Sequence, residues 1–304
     1  MSTSFLVVCL NPTLQKTFGL ARLDPGQVNR AQSVRLDLAG KGVNTTRILQ
    51  QLGERAIHLT QVGGEHLETF RRLVAEDSLD VRAVEAELEI RHCYTMLGAN
   101  DRSTTEIVEA GWPAPAGLED EVRRRYTELL NEAHTVVIAG SKAPGFSASL
   151  YPDMVREARE RGLRVVLDFR GDDLVNSLPH GPTIVKINVN EFSSTFLDEA
   201  LPEETPHDAM PELLSRRMRE LTADSGTELV LTNGAQPVMF VENGEIQLIA
   251  PTRVEPVNAI GSGDAVTAGI AAGVSRGLSL REAIRLGLDC ARRNVELEKP
   301  GTIE

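Results

Sequence analysis

Short apolar runs recur along the chain, and most are followed by a longer stretch with helical spacing. The first run, at 5–10, is partly β-branched and ends at Asn11-Pro12, which is typical of a strand buried on both faces. Similar runs predict strands at 135–139, 165–168, 184–187 and 228–232. Stretches rich in Glu, Arg, Ala and Leu predict helices at 118–133, 149–161 and 211–222. This alternation predicts an α/β fold, with a mainly parallel sheet flanked by helices.

Two regions interrupt this rhythm, at 17–37 and 92–108. In the second, apolar and polar residues alternate, which is typical of strands with one face wet or facing a ligand. We therefore expect a small β-sheet lid, with strands from about 12–37 and 91–110. No repeat or long linker marks a border, so we expect residues 1–304 to form a single domain with the lid as an insertion. The segment 200–210, rich in Pro and Glu, is predicted to be a surface loop.

Composition and charge exclude several classes of protein. With 304 residues and 41% apolar content, the chain has the profile of a globular protein with a substantial core. A formal net charge of −12 argues against nucleic acid or an anionic membrane as partner, because both require a basic surface. The three cysteines lie far apart without metal-binding spacing, and neither a signal peptide nor a membrane span is evident. We therefore expect a cytoplasmic protein.

The strongest chemical signal is the segment 258–273, where Gly261, Ser262 and Gly263 lead into a helix of small residues. The first amides of such a helix have no intrahelical partner, and the helix dipole favours an anion such as a phosphoryl group in transfer. Asp264 in the same turn could accept the proton of an attacking hydroxyl. Ser and Asp are also ordinary helix caps, so this segment alone leaves both interpretations open.

A second candidate is the segment 38–53. Gly40 and Gly42 free the backbone for close approach to a ligand, and Lys41 supplies a positive charge. A helix is predicted to begin near Asn44, with Ile48, Leu49 and Leu52 on its buried face. The spacing is not that of a Walker phosphate loop, and a lysine solvated in a turn is the alternative interpretation.

Together and in this order, AGKGVN at 39–44 and IGSGDA at 260–265 resemble the ribokinase-like carbohydrate kinases. The closer resemblance is to their phosphofructokinase B branch, which includes 1-phosphofructokinase and tagatose-6-phosphate kinase. Further fragments resemble motifs of that branch along the whole chain: LNP at 10–12, TEIVE at 105–109, GSKAPG at 140–145, KINVNE at 186–191 and TNGA at 232–235.

The resemblance implies a Rossmann-like ribokinase fold with a β-sheet lid, ATP as phosphoryl donor and Mg²⁺ as its counter-ion. It implies that Asp264 is the catalytic base, while the amides of Gly261, Ser262 and Gly263 hold the developing negative charge. The nucleotide-binding residues that it implies are Lys186, Asn188, Glu191, Thr232, Asn233 and Gly234, with Glu191 reaching the metal through water. The substrate-binding residues that it implies are Asn11, Gln15, Gly40, Lys41, Asn44, Arg91 and Glu109.

The sequence departs from the branch at Gln15, where an Asp is expected that accepts hydrogen bonds from sugar hydroxyls. A Gln carries no charge, so the identity of the acceptor is open at this position. Lys41 and Arg91 together favour an acceptor that is already phosphorylated, and Lys142 and Arg170 are further candidate cations.

The expected function is therefore ATP-dependent phosphorylation of a ketose phosphate, such as fructose 1-phosphate, tagatose 6-phosphate or fructose 6-phosphate. One alternative is a sugar- or nucleotide-binding homologue with little catalysis, motivated by Gln15 and by an altered nucleotide loop. Another is a kinase of an unphosphorylated sugar or nucleoside. The alternating lid strands would also suit a homodimer.

Overall fold

The computed structural model describes residues 4–197 and 199–304, and within these residues the chain forms thirteen strands and nine α-helices. The strands are β1 (Ser4–Val8), β2 (Thr13–Leu20), β3 (Ser33–Ala39), β4 (Arg55–Val62), β5 (Asp80–Glu85), β6 (Arg91–Gly98), β7 (Thr104–Val108), β8 (Thr135–Ala139), β9 (Arg164–Asp168), β10 (Ile184–Asn188), β11 (Glu228–Asn233), β12 (Gln236–Glu242) and β13 (Glu245–Ile249). The α-helices are α1 (Lys41–Gln51), α2 (Leu67–Glu76), α3 (Leu118–Leu129), α4 (Leu150–Glu160), α5 (Asp172–Ser177), α6 (Val189–Phe196), α7 (Glu212–Ser225), α8 (Ser262–Ser275) and α9 (Leu280–Val295). None of these helices is long and apolar enough to cross a membrane. Residues 1–3, on which part of the expectation of no signal peptide rests, lie outside the described residues.

Nine strands form the main sheet, in the order β13-β12-β11-β10-β9-β8-β1-β4-β5. The pairs from β11 through β5 are parallel, and β12 and β13 are added antiparallel at one edge. This confirms the predicted α/β fold with a mainly parallel sheet. The chain runs from β1 to β4 on one side and later to β8 on the other, so the strand order reverses beside β1.

Strand β1 divides the hydrophobic core into two layers because alternate side chains of a strand point to opposite faces. Leu6 and Val8 pack in the layer formed with helices α3 to α7, whereas Phe5 and Val7 pack in the layer formed with α1, α8 and α9. All four side chains are fully buried. Burial on both faces explains the unbroken apolar run in the sequence.

A second sheet of four strands, in the order β3-β2-β6-β7, forms the predicted lid. Its outer pairs are antiparallel and its central pair, β2 with β6, is parallel. At the base of the lid, Leu14 and Leu38 pack in one cluster with Phe70 and Leu73 of α2. This cluster anchors the lid to the main part of the fold.

The helix expected to begin near Asn44 begins earlier, at Lys41. Gly40 directly precedes it with φ of 100°, a conformation that ordinary side chains rarely adopt, so the glycine sets the boundary between β3 and α1. Ile48 and Leu49 are buried as predicted, and Leu52 is the C-cap residue. The earlier start places Lys41 and Asn44 together in the first turn of α1.

Candidate active site

Several of the predicted site residues lie at the carboxyl ends of the parallel strands of the main sheet. Asn11 follows β1 and Ser141 follows β8, on either side of the point where the strand order reverses. Asn11 Nδ2 donates a hydrogen bond to Ser141 Oγ at 3.3 Å across that point. In open α/β sheets, ligands bind in the crevice at such a point.

The turn before α8 requires glycine at position 261. Gly261 has φ of 83°, and a Cβ on it would lie 2.6 Å from the backbone nitrogen of Gly301. Among the residues that the structure describes, no acceptor meets the amides of Gly261, Gly263 and Asp264, whereas the Ser262 amide donates to the Ala259 carbonyl at 3.3 Å. Three amides at the start of α8 are therefore available to an anion.

Asp264 lies in the first turn of α8 with only 7% of its surface exposed. Its Oδ2 accepts a hydrogen bond of 2.8 Å from Nδ2 of Asn44, in the first turn of α1. Burial raises the pKa of Asp264 to about 6, with Lys41 and the Asn44 hydrogen bond lowering it and the nearby charge of Asp168 raising it. The carboxyl group is therefore a stronger base than an ordinary aspartate, yet it is mainly ionised at neutral pH.

Asp168 is the anionic centre of the site, at the end of β9 and completely buried. Its Oδ1 accepts from Lys41 Nζ at 2.6 Å, and its Oδ2 accepts from Lys186 Nζ at 3.1 Å and from Thr267 Oγ1 at 2.5 Å. Burial alone would raise the pKa of Asp168, but the two lysines outweigh it and lower the pKa. Burial likewise opposes the charge of Lys41, yet Asp168 and Glu191 raise the pKa of its ammonium group. Asp168 thus holds the ammonium groups of both lysines beside the start of α8.

Asn188 and Glu191 form a capping box at the start of α6. The Glu191 amide donates to Asn188 Oδ1 at 2.7 Å, and the Asn188 amide donates to Glu191 Oε2 at 3.1 Å. Glu191 Oε1 lies 3.5 Å from Lys41 Nζ. Within residues 4–197 and 199–304, no cluster of three or more His, Cys, Asp or Glu side chains could hold a metal ion alone. A Mg²⁺ ion binds through one or two carboxylates together with phosphates and water, and Glu191 fits that requirement.

Thr232, Asn233 and Gly234 lie at the tight turn between β11 and β12. The predicted surface loop docks on this turn: the Glu204 amide donates to Asn233 Oδ1 at 2.7 Å, and Asn233 Nδ2 donates to the Thr205 carbonyl at 2.7 Å. The neighbouring residue Glu203 accepts a 2.6 Å hydrogen bond at Oε1 from Nδ2 of Asn188. The loop thus joins two segments that were predicted to bind the nucleotide.

Three of the residues predicted to bind the acceptor, Gln15, Arg91 and Glu109, lie in or directly after lid strands. Gln15 is buried between β3 and β6, and its Nε2 donates to Thr95 Oγ1 at 2.8 Å. Arg91 Nε donates to Thr13 Oγ1 at 2.9 Å on the neighbouring strand. Glu109 accepts a hydrogen bond of 2.8 Å from the His92 amide, which lowers the pKa of its carboxyl group. Lys41 points toward Asp168 and Glu191, whereas Arg91 is bound to Thr13 in the lid.

The two further candidate cations differ in their surroundings. Lys142 forms an ion pair with Asp173 and lies over the ring of Tyr151, so its charge is already matched within the fold. Arg170 is exposed and has no ion-pair partner in the described portions of the chain.

Sequence reasoning missed Asp168 as a site residue, together with Thr267. The signal for Asp168 was a carboxylate placed directly after the buried run of β9, at the strand edge where ligands bind. Thr267 lies one turn after Gly263 on α8 and also donates to the Gly263 carbonyl at 3.1 Å. A threonine within a helix has no comparable sequence pattern, because the residue that it contacts, Asp168, is distant in the sequence.

Comparison with known proteins gives consistent findings. Residues 8–304 match the profile of the family described as pfkB family carbohydrate kinase. The fold is similar to the tetrameric inhibited form of phosphofructokinase-2 from Escherichia coli, with a TM-score of 0.84 and 21% identity over 97% of this chain and 94% of that chain. The same enzyme in complex with fructose-6-phosphate has a TM-score of 0.81 and 21% identity over 96% of this chain and 93% of that chain. A possible 1-phosphofructokinase from Thermotoga maritima has a TM-score of 0.84 and 22% identity over 98% of this chain and 94% of that chain. At these identities the likeness to solved structures shows the ribokinase-like fold.

Proposed function

Because the chain belongs to the pfkB family of carbohydrate kinases, we propose that it transfers the γ-phosphoryl group of ATP to a hydroxyl of a ketose phosphate. Family membership makes it a phosphotransferase with a sugar hydroxyl as acceptor. The observation that carries the proposal is Asp264, a buried carboxylate with a pKa of about 6 at the start of α8, beside unpartnered amides. A base and an anion site within one helical turn suit the deprotonation of a hydroxyl next to a phosphoryl group.

In this reaction Asp264 accepts the proton of the acceptor hydroxyl as its oxygen attacks the γ-phosphorus, and the bond from that phosphorus to ADP breaks. The amides of Gly261 and Gly263, with the dipole of α8, stabilise the negative charge on the transferring group. Ser262 has a smaller part in this scheme than the other two, since its amide donates to Ala259.

At the nucleotide end, Lys186 and Lys41 supply positive charge next to the phosphates. Asp168 holds both ammonium groups in place through hydrogen bonds. We propose that Glu191, through water, and the phosphates of ATP hold Mg²⁺, which neutralises phosphate charge when it is bound. We propose that Asn188, Thr232, Asn233 and Gly234 border the space for the nucleotide, next to Glu203, which is bound to Asn188.

At the acceptor end, we propose that Gln15 accepts a hydrogen bond from a sugar hydroxyl. Its Nε2 donates one hydrogen bond to Thr95, so its carbonyl oxygen and the second N–H of the amide are left to bind a ligand. Arg91 supplies a positive charge on the neighbouring strand for the phosphate that the acceptor already carries. The E. coli neighbour in complex with fructose-6-phosphate supports a phosphorylated ketose, and fructose 1-phosphate and tagatose 6-phosphate are the other candidates. Asn11, Gly40 and Glu109 complete the proposed acceptor site.

A panel assay of ADP release tests this proposal. The three ketose phosphates should be compared with unphosphorylated sugars and nucleosides, with and without Mg²⁺. Asp264→Asn should reduce turnover by roughly 10²- to 10⁴-fold, as expected for loss of a general base, while Asp120→Asn, in the first turn of α3, should not. Equal turnover in Asp264→Asn would exclude the assigned base. Turnover only on unphosphorylated acceptors would overturn the substrate class, and ligand-induced melting shifts without any turnover would favour a binding protein.

We further propose that the lid joins two copies of the chain. Val34 and Ile107 are 55% and 58% exposed and project from the same face of the lid. Exposed apolar residues on a sheet face suit contact with an identical sheet. Sedimentation should show a dimer that Ile107→Glu dissociates, and a monomer for the unmodified chain would exclude the proposed dimer.

We also propose a cytoplasmic location. The free cysteines are buried and widely spaced in the sequence, which supports it.

A further inference from the structure

Arg47 is a buried arginine on α1, one turn after Asn44, and it has no place in the proposed chemistry. Only 5% of its surface is exposed. Its Nη1 donates to Asn44 Oδ1 at 3.3 Å, and its Nη2 donates to the Leu38 carbonyl at 2.8 Å and to Asp77 Oδ2 at 2.6 Å. The guanidinium group is thus held on one side by an ion pair and touches the side chain that contacts Asp264.

The Asn44 amide can satisfy both neighbours in one orientation only. A guanidinium group donates hydrogen bonds and cannot accept them, so the Asn44 oxygen must face Arg47. The Asn44 nitrogen then faces Asp264, to which it donates at 2.8 Å. In the reverse orientation an amide oxygen would face the carboxylate, and an NH₂ group would face the guanidinium.

The segment after α9 holds this arrangement in place. Arg47 Nη1 also donates to the carbonyls of Pro300 and Gly301, at 3.3 and 3.1 Å. Gly301 has φ of 63°, and a Cβ on it would lie 2.2 Å from Asn44 Cγ. The backbone there fits directly against the Asn44 side chain, which leaves the amide little room to turn.

From these contacts we infer that Arg47 is a positioning residue: its guanidinium group fixes the Asn44 amide in the orientation that donates a hydrogen bond to Asp264. The inference rests on the proposed function only in calling Asp264 the base. The orientation of the amide follows from the hydrogen bonds themselves.

The pKa of Asp264 depends on the orientation of the Asn44 amide, so a measurement of this pKa detects the orientation. The charged and titratable groups that face Asp264 are Lys41, Lys186, Asp168 and the thiol of Cys9. Variants at Arg47 leave these four groups in place. If Arg47 no longer orients the amide, the carboxylate loses a donor that favours its charged form, so the pKa of Asp264 rises.

Carbon-13 NMR titration of the Asp264 carboxyl group in the full chain, without nucleotide or sugar, tests the inference in a double-mutant cycle. The four proteins are the unmodified chain, Arg47→Met, Asn44→Ala and the double variant, and the missing resonance in Asp264→Asn assigns the signal. Arg47→Met should raise the pKa of Asp264 by roughly half to one unit. In the Asn44→Ala background the same substitution should add nothing.

An equal shift in both backgrounds would overturn the inference, because Arg47 would then act through its charge alone. No shift in either background would overturn it as well. Asp77→Asn is the matched control, since it removes the ion pair of Arg47 but not the contact with Asn44. If Asp77→Asn shifts the pKa of Asp264 as far as Arg47→Met does, the shift reflects a general loss of packing around Arg47, and the inference fails.

A second variant and a kinetic measurement complete the test. If Arg47→Met does not fold, Arg47→Lys keeps the charge but loses the fork of donors, and it should raise the pKa only when Asn44 is present. In turnover assays, Arg47→Met should lower kcat by about two- to fivefold at pH 6, because a smaller fraction of Asp264 is ionised, with little change in the KM for ATP; an unchanged kcat would contradict the positioning role. Absence of turnover in the unmodified chain would refute the proposed function, while the titration would still decide the role of Arg47.

Discussion

Asp264→Asn should make the folded protein more stable at neutral pH while it removes the proposed base. The carboxylate is buried in surroundings that disfavour its charge, as its raised pKa indicates. Asparagine has nearly the same shape, and its Oδ1 can still accept the hydrogen bond from Asn44 Nδ2. The substitution therefore removes the charge and keeps the packing.

The pKa of Asp264 sets the size and the pH range of the effect. The ordinary value is 3.8 and the folded value is about 6. Below about pH 3.8 the group is protonated in both states and contributes nothing. Above about pH 6 it is ionised in both states, and the folded state bears the full penalty of about 3 kcal/mol, from roughly two pKa units at 1.36 kcal/mol each. The gain from Asp264→Asn should thus be complete above pH 6 and fade as the pH falls toward 3.8.

Urea unfolding at pH 7.5 and at pH 4.5 measures this effect. At pH 7.5 the variant should have a free energy of unfolding about 3 kcal/mol higher than that of the unmodified chain, and at pH 4.5 a clearly smaller difference. Asp120→Asn, which removes an exposed carboxylate from the first turn of α3, should give no such gain. A variant that is equally or less stable at pH 7.5, or a gain independent of pH, would refute the assignment of a raised pKa to Asp264.

Three further predictions concern other parts of the site. With both substrates saturating, kcat should rise with pH up to about 6 and then level off, because Asp264 must be ionised to accept a proton; a flat profile from pH 5 to 8 would contradict this. Asp168→Asn should lower the free energy of unfolding by about 3 kcal/mol or more, since Lys41 and Lys186 would lose their buried counter-charge; an unchanged urea midpoint would count against that role. Glu203→Gln should tighten binding of MgATP several-fold, because it removes a negative charge beside Asn188 at the nucleotide end; unchanged or weaker binding by calorimetry would exclude a part for Glu203 there.

The central strands could be predicted from the sequence because burial on both faces leaves an unbroken apolar run. Strand β4 lies beside β1 yet was not predicted, because its run contains the polar residues His58, Thr60 and Gln61. These side chains are buried and bind backbone carbonyl groups next to β1: His58 Nδ1 lies 3.1 Å from Val7 O, and Thr60 Oγ1 donates to Cys9 O at 2.7 Å. A polar residue that is satisfied in this way has no distinct sequence pattern.

Local motifs predicted the parts of the site that depend on local structure. Gly261 and Asp264 owe their roles to one turn at the start of a helix, so a single segment indicates both. Asp168 and Arg47 owe theirs to contacts between distant segments: Asp168 meets Thr267, 99 residues away, and Arg47 meets Gly301, 254 residues away. Such partners become neighbours only through the strand order and the packing of α1 against α8.

The contact of Gly301 with Asn44 and with Gly261 has a consequence for the synthesis of the protein. A ribosome makes the chain from its N-terminus, so Asn44 and Arg47 leave the exit tunnel long before their partners exist. All thirteen strands are translated before α8, α9 and the segment that carries Gly301. Asp264 can reach its final surroundings only after Gly301 has left the exit tunnel, so shorter nascent chains should lack the complete site.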